Sequence, residues 1–486
     1  MFKAILGNKV LWYMGSRYLT YGLQFITTLI IAITLGPGSF GIWSFLLLII
    51  NFFNIVDFGI SNSLSVLLVQ DKLNRLNCKK HISSGVFIIT VVSLLILLIY
   101  FMIITLDIPL LTKYNAKNYL PYILIVILIS YFNKLFSSVY RVHNKLFEIA
   151  FYQSVIPFIL FLFVVVLKKG EITFLVGAYV LGSILSLLLF ILRGGIVLSK
   201  NISISSINTV AQKGIWLFLY NSAFYFIIYT MSFGVSLLYT VEEYGKYNFA
   251  YTLSNAVVLL IDSFTFIIFP KMIDRLKSTD DIYCKQTIYA IRGNYTTIIH
   301  LLIYLALPAF YFFCMIITKY SDAHRALCLS ALALIPYSNA FGLNTYLIAN
   351  NKERVLSLIS IGCLILNIVF FNILTLVFGI PYDMVFLSII LSYIIYAIWC
   401  AVLISETVTG CCRKKLYSYV RYTFPLRQVI PYIVAIGIIL VAFNYHYPLL
   451  LFLPCFSFIL LNKSHIKKLI KVMITIVIKP QVIDLD

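Results

Sequence analysis

Leu35-Gly-Pro-Gly-Ser-Phe-Gly41-Ile-Trp-Ser-Phe45 and Thr240-Val-Glu-Glu-Tyr-Gly245-Lys-Tyr-Asn-Phe249 are two versions of one short theme, and they set the organisation of the whole chain. Each follows a long apolar run, reaches a glycine, and ends on aromatic residues. Each then leads into an apolar run that carries one acid, Asp57 or Asp262, and on to Asp71-Lys-Leu73 or Asp274-Arg-Leu276. Further along, Tyr131-Phe-Asn133 and Asn144-Lys145 are echoed by Tyr337-Ser-Asn339 and Asn351-Lys352. The chain therefore repeats itself at an offset of about 204 residues, the internal symmetry of two related helical bundles.

The composition says what those bundles sit in. Of 486 residues, 62% are hydrophobic and only 11% charged, with a mean hydropathy of +1.00. Soluble domains carry about 25% charge, and a bilayer crossing takes about 20 apolar residues. Fourteen apolar runs fall near 10–35, 43–67, 85–106, 119–141, 149–167, 173–192, 214–239, 247–269, 295–317, 326–348, 355–379, 384–404, 428–444 and 447–461. The expectation is an all-α polytopic membrane protein with about 14 transmembrane helices. Residues 1–200 form an N-terminal six-helix bundle and 201–410 its repeat, with 411–486 adding a helical hairpin and a basic cytoplasmic tail. Six spans separate the copies, so both have the same orientation and are related by an axis along the membrane normal. The runs are continuous, without the alternation of an outer-membrane barrel, and no stretch of ordinary composition is long enough for a soluble catalytic domain.

Basic residues orient this arrangement. The outer side carries seven: Lys113, Lys117, Lys168, Lys169, Lys246, Lys319 and Arg325. Arg17 and Lys134 stay within spans, and the remaining 28 of the 37 Lys and Arg lie inside. That bias places both termini in the cytoplasm and accounts for the net charge of +20 without a nucleic-acid partner. The chain enters its first span straight after Met1 to Lys9, so no cleavable leader is expected. The thirteenth run is interrupted by Pro431 and the fourteenth is short, so either reads as a re-entrant candidate. Ile466–Ile478 reads as an interfacial helix. Nine scattered cysteines, with no CxxC pair, read as small packing residues and not as a metal site or disulfide frame.

LGPGSFGIWSF after the first span, NIVDFGISNSL in the second, and YTVEEYGKYNFAY with IIFPKM around the eighth resemble bacterial polysaccharide flippases. These are the Wzx-type O-antigen and capsule-repeat exporters of the MOP (multidrug/oligosaccharidyl-lipid/polysaccharide) superfamily. The resemblance covers about residues 1–405. It implies two pseudo-symmetric six-helix bundles plus a C-terminal pair. It also implies translocation of an undecaprenyl-diphosphate-linked oligosaccharide across the bacterial inner membrane, with the polysaccharide polymerase and chain-length machinery as partners.

A charge at the bilayer centre costs about 2.5–3.5 kcal/mol on insertion scales, so each ionisable residue inside a span asks for a reason. Arg17 lies on one face of its helix with Tyr21, Gln24 and Thr28, at helical spacings. The repeat maps this stripe onto Asn221, Tyr225 and Ser232 of the seventh span. Two such stripes are expected to form opposite walls of a hydrated cavity. A glycosyl diphosphate is an anion: Arg17 can grip it bidentately, Lys134 offers a mobile point charge, and tyrosines and amides suit sugars. Snorkelling to the inner interface is the competing reading for Arg17 and Lys134, and more so for Arg141, seven residues after Lys134. Asp57 and Asp262 are candidates either for coupling to a proton or sodium ion or for structural ion pairs. His300 is a candidate relay or a hydrogen-bonded packing residue. Asn133 and Asn339 are cavity groups or interhelical bonds. Gly36, Gly38 and Gly41 are expected in a tight turn beside Pro37. No cofactor is called for.

Two rivals stay in view. A polytopic glycan polymerase or ligase would need an acid or base at a membrane face, but no paired carboxylates, DxD or HExxH stand where they could act. A multidrug or peptidoglycan-precursor exporter would share the fold, though a drug exporter has no need of the basic stripe.

Overall fold

A computed structural model describes residues 9–70, 74–143, 145–166, 171–194, 199, 203–276, 281–350, 352–404, 416–442 and 448–478. The described residues form α-helices, with short 3-10 and π segments and no strand. The protein is an all-α polytopic membrane protein. Two compact units divide between Asn248 and Phe249.

In the first unit the helices are α1 (Lys9–Ile55), α2 (Ile60–Gln70), α3 (Arg75–Thr105), α4 (Pro109–Lys113), α5 (Leu120–Val142), α6 (Leu146–Phe161), α7 (Ile172–Gly194) and α8 (Ile204–Leu238). α9 (Val241–Leu276) begins here and continues into the second unit. That unit holds α10 (Asp281–Ile316), α11 (His324–Leu332), α12 (Leu334–Asn339), α13 (Leu343–Ala349), α14 (Glu353–Asn372), α15 (Phe386–Leu403), α16 (Leu416–Thr423), α17 (Leu426–Ala442) and α18 (Leu453–Ile478).

Among the described residues, nine helices are long and apolar enough to cross a membrane, or up to eleven if each of two bent pairs is one span. The first, Tyr18–Ile55, has 38 residues and holds most of the first expected span and the opening part of the second. At 1.5 Å per residue it is about 57 Å long, far beyond the roughly 30 Å hydrocarbon core. The crossing point of the two is Gly36, whose φ of 72° and ψ of 171° break the helical geometry immediately before Pro37. Only Gly36 supplies the positive φ expected of this turn; Gly38 and Gly41 lie in helix beyond it. Parts of α8 and α9, which hold the seventh and eighth spans, carry side chains outside the described residues.

Local chemistry sets several helix starts. Asn74 caps α3 by accepting from the Asn77 amide at 3.2 Å, and Ser203 caps α8 by accepting from the Ser206 amide at 3.2 Å. α9 opens on a capping box: the Glu243 amide donates to Thr240 Oγ1 (3.2 Å) while the Thr240 amide donates to Glu243 Oε2 (2.9 Å).

Within the first unit, α1 packs on α5, α6 and α8, α7 packs on α5 and α6, and α8 also rests on α2 and α3. The seventh span, which the repeat groups with residues 201–410, thus lies in the compact unit of the first copy. Tyr140, Tyr152 and Phe190 form an aromatic knot there, with the Tyr140 hydroxyl donating to the Phe190 carbonyl at 3.0 Å. α3 exposes Leu94, Leu98, Phe101 and Met102, an apolar surface suited to lipid contact.

In the second unit the helix carrying Pro431 is continuous, so this proline does not interrupt the thirteenth span. The break lies earlier, where α16 meets α17 at 74°. Pro431 loses one backbone donor, whereas Pro425 between the two helices disfavours helical geometry at Phe424. The fourteenth span, Pro448–Lys467, has 20 residues and is long and apolar enough to cross a membrane. Helix α18 is broken at Asn462, whose φ of -117° and ψ of 19° are non-helical, and a second helical stretch runs from there to Ile478, over the tail expected as an interfacial helix.

Candidate functional site

The second span is not one helix. After Ile55 the chain leaves α-geometry, Phe58 and Gly59 take φ of 49° and 71°, and α2 resumes at Ile60. A left-handed conformation costs a non-glycine residue about 1–2 kcal/mol, so Gly59 makes the turn cheaper and Phe58 bears strain. Asp57 stabilises the corner by accepting from the Gly59 amide on Oδ1 at 3.1 Å, a local side-chain-to-backbone turn.

A helix that ends inside a membrane leaves carbonyls without partners, and α5 supplies them. Tyr131 and Lys134 are three residues apart on one face of α5. The Tyr131 hydroxyl donates to the Phe53 carbonyl at 2.6 Å, and Lys134 Nζ donates to the Asn54 carbonyl at 2.8 Å. Lys134 also pairs with Asp57 Oδ2 at 3.3 Å, and Ser130 bonds to the Asn54 side chain. The ammonium sits at a helix C-terminus, where the dipole favours a cation. The pair is lopsided: the Asp57 side chain is 6% exposed and that of Lys134 47%. The buried carboxylate is fixed, while the lysine faces an open side. Arg141 is exposed on the same helix.

The rest of the expected site is distributed. On α1, Gln24 is exposed, Tyr21 and Thr28 are half-buried, and the Thr28 hydroxyl donates to the Gln24 carbonyl at 2.8 Å. On α8, Tyr225 is 55% exposed but Ser232 is 3% exposed, so Ser232 does not face an open wall. Close packing of α8 on α1, α2 and α3 is the physical reason. The side chains of Arg17, Asn221 and Asp262 lie outside the described residues. The helix carrying Asp262 runs unbroken from Val241 to Leu276, so the break at Asp57 has no counterpart in the second copy.

His300 belongs to the second unit. It is 1% exposed, its Nδ1 lies 3.0 Å from the Tyr304 hydroxyl, and its ring stacks on Phe458 at 4.8 Å. With Asn339, Gln428 and Tyr432 it lines a mostly apolar cavity of about 400 Å³. Its Nε2 and the Asn339 Oδ1 have no hydrogen-bond partner among the described residues. Asn133 Oδ1, in the first unit, also has none among them.

The sequence did not single out Arg292. It is 8% exposed on α10; its Nε donates to the Asn339 carbonyl at 3.1 Å and its Nη2 to the Thr423 carbonyl at 3.1 Å. It thereby holds the end of α16 against α10 and α12. Arg292 lies just ahead of the ninth apolar run, where an arginine reads as an ordinary inner-side anchor.

The repeated glycines meet each other. A Cβ on Gly41 would stand 2.1 Å from the Val241 carbonyl oxygen, and one on Gly245 would stand 2.0 Å from that of Pro37. Pro37 and Val241 are equivalent positions of the repeat, as are Gly41 and Gly245. The contact is self-complementary, as at a twofold axis. This explains why a glycine recurs at 245, where no turn needs it. Around it, Tyr114 stacks on Phe45 at 4.2 Å and meets Tyr244 edge-on at 5.4 Å. Lys113 caps the end of α8 by donating to the carbonyls of Ser236 (2.7 Å), Leu237 (3.3 Å) and Tyr239 (2.5 Å). Burial lowers the Lys113 ammonium below its usual range, against the opposing pull of Glu243.

The family model described as "Polysaccharide biosynthesis protein" matches residues 6–275, and the chain belongs to that family. No curated protein matches. Among solved structures, the chain is similar to the lipid II flippase MurJ in an inward closed conformation, with a TM-score of 0.66 at 14% identity over 96% of this chain and 100% of that one. It is also similar to a multidrug resistance MATE family transporter of the MOP superfamily in an inward-facing conformation, with a TM-score of 0.57 at 11% identity over 78% and 92%. A MATE in complex with MaL6 gives a TM-score of 0.57 at 13% identity over 80% and 93%. The fold is one that these solved transporters share.

Proposed function

We propose that the protein flips an undecaprenyl-diphosphate-linked oligosaccharide, an O-antigen or capsular repeat unit, from the cytoplasmic to the outer leaflet of the bacterial inner membrane. The observation that carries this reading is Lys134, a half-exposed cation held at a broken helix inside a span of a polysaccharide-family chain. Beyond its bonds to Asp57 and the Asn54 carbonyl, such a cation offers a charge to a passing anion, and the diphosphate is the anionic part of a lipid-linked glycan. Arg17 is the second phosphate ligand in this reading, while Tyr21, Gln24 and Tyr225 supply ring faces and amide groups to the sugars.

Transport proceeds by alternating access, with the polyprenyl chain left in lipid. The charge bias puts both termini in the cytoplasm and the Gly41–Gly245 crossing on the outer side. That crossing is the contact that must part for the glycan to leave. Polymerase and chain-length machinery act on the released product. A peptidoglycan precursor is the second reading, because the lipid II flippase has the same fold along its full length.

The test is transbilayer movement of an undecaprenyl-diphosphate-linked oligosaccharide in proteoliposomes, read by an impermeant lectin. Protein-dependent crossing without chemical change is the expected result, and Arg17→Ala abolishes it while the protein remains folded. Chain extension or glycan transfer without crossing would refute the reading in favour of an enzyme.

A further inference from the structure

The cavity of the second unit is long, apolar and edged by exposed side chains. Along α17 its lining runs from Leu426 to Ile436, about 15 Å at 1.5 Å per residue, which is the depth of one leaflet of hydrocarbon. α12 and α15 contribute isoleucines, and one face of α16 supplies Tyr417, Val420, Arg421 and Phe424 at helical spacing. Because α16 meets α17 at 74°, it lies close to the membrane surface where α17 crosses, on the side that the charge bias makes cytoplasmic.

Two polar groups on this lining lack partners. Asn339 is 1% exposed, and its Oδ1 has no hydrogen-bond partner among the described residues. Arg421 is exposed and has no hydrogen-bond or ion-pair partner among them, whereas Arg292 is held by backbone carbonyls and Arg427 by His465 and Tyr289. Residues 407–483 hold ten Lys and Arg and no Asp or Glu, so the charge that complements this end of the chain is negative. We propose that the cavity holds one acyl chain of an anionic phospholipid of the inner leaflet, with the lipid phosphate on the Arg421 guanidinium. A phosphate accepts two parallel hydrogen bonds from a guanidinium. A headgroup hydroxyl, such as phosphatidylglycerol carries, donates to Asn339 Oδ1, which stands at the α16 end because Arg292 bonds the Asn339 and Thr423 carbonyls together. The volume of about 400 Å³ matches a single acyl chain and is several times too small for an undecaprenyl chain, so the occupant is not the cargo. The site is thus independent of what the protein carries.

The test titrates the purified full chain in detergent with phosphatidylglycerol, or with phosphatidylcholine of the same acyl chains, and reads the first bound lipid by native mass spectrometry. Phosphatidylglycerol should bind about tenfold more tightly, the increment of one charged hydrogen-bonded contact, and Arg421→Gln should abolish that preference. Lys463→Gln, which removes an exposed cation of the same stretch away from the cavity, should leave it unchanged. Ile433→Trp, which fills the cavity, should weaken both lipids alike. Equal affinity of wild type for the two lipids, or a preference that survives Arg421→Gln, overturns the site. An equal loss in Lys463→Gln reduces the preference to the attraction of a basic surface, and unchanged binding in Ile433→Trp puts the chain elsewhere; either result also overturns it. Undecaprenyl diphosphate that displaces phosphatidylglycerol one for one gives the cavity to the cargo and overturns the phospholipid.

Discussion

Replacing Gly245 by alanine places a methyl carbon 2.0 Å from the Pro37 carbonyl oxygen. Carbon–oxygen contacts settle at about 3.3 Å, so α1 and α9 must separate by about 1.3 Å at their crossing. The obstacle is backbone, which cannot swing aside as a side chain would. Overpacking of this kind costs about 1–3 kcal/mol, and the rigid obstacle points to the upper end. The whole cost falls on the state in which the corner is closed. If that corner is the outer gate, Gly245→Ala shifts the equilibrium towards the open state by a factor of about 5–150. The assay is maleimide labelling of a cysteine introduced at Ser39, beside the crossing, from the outer face of intact cells. The labelling rate should rise in Gly245→Ala and in Gly41→Ala. The double variant should add less than the sum, because both methyls relieve themselves by the same separation. Gly38→Ala is the control, since a Cβ there meets nothing within 4 Å. Unchanged labelling in Gly245→Ala, or an equal rise in Gly38→Ala, refutes the gate.

Three further outcomes are expected. Lys134→Met should destabilise the protein more than Asp57→Asn, by about 2–3 kcal/mol, because it strands a buried carboxylate while the reverse change frees a half-exposed lysine; thermal unfolding in detergent at low sodium checks the order. Arg292→Lys should lose most of the stabilisation lost by Arg292→Ala, because one ammonium cannot reproduce a guanidinium that bonds the Asn339 and Thr423 carbonyls together; unfolding temperatures of the two variants, measured side by side, give the comparison. Thr240→Ala should cost about 1 kcal/mol through the capping box, and Glu243→Ala added to it should cost little more, which a double-mutant cycle reads directly.

Much of this molecule could be read without coordinates. Apolar run length, the bias of Lys and Arg, and the return of the Gly41 theme at Gly245 are properties of order along the chain. The bilayer converts the first of these directly into spans, because hydrocarbon leaves helices as the way to satisfy a backbone. The two acids were visible as charges inside spans for the same reason. What they do was not visible. Asp57 is followed by Phe58 and Gly59, which permit the positive φ that breaks the helix, while Asp262 is followed by Ser263 and Phe264 and its helix continues. Whether a permitted break occurs depends on donors for the freed carbonyls, and those come from Tyr131 and Lys134, far away in sequence. The pairing of Lys134 with Asp57, the burial of Ser232, the brace at Arg292 and the meeting of Gly41 with Val241 are likewise contacts between distant segments. The sequence by itself determined the helices and the glycines. Tertiary structure alone decided that the repeated glycines exist for one another, since backbone can approach backbone that closely only where neither copy carries a Cβ.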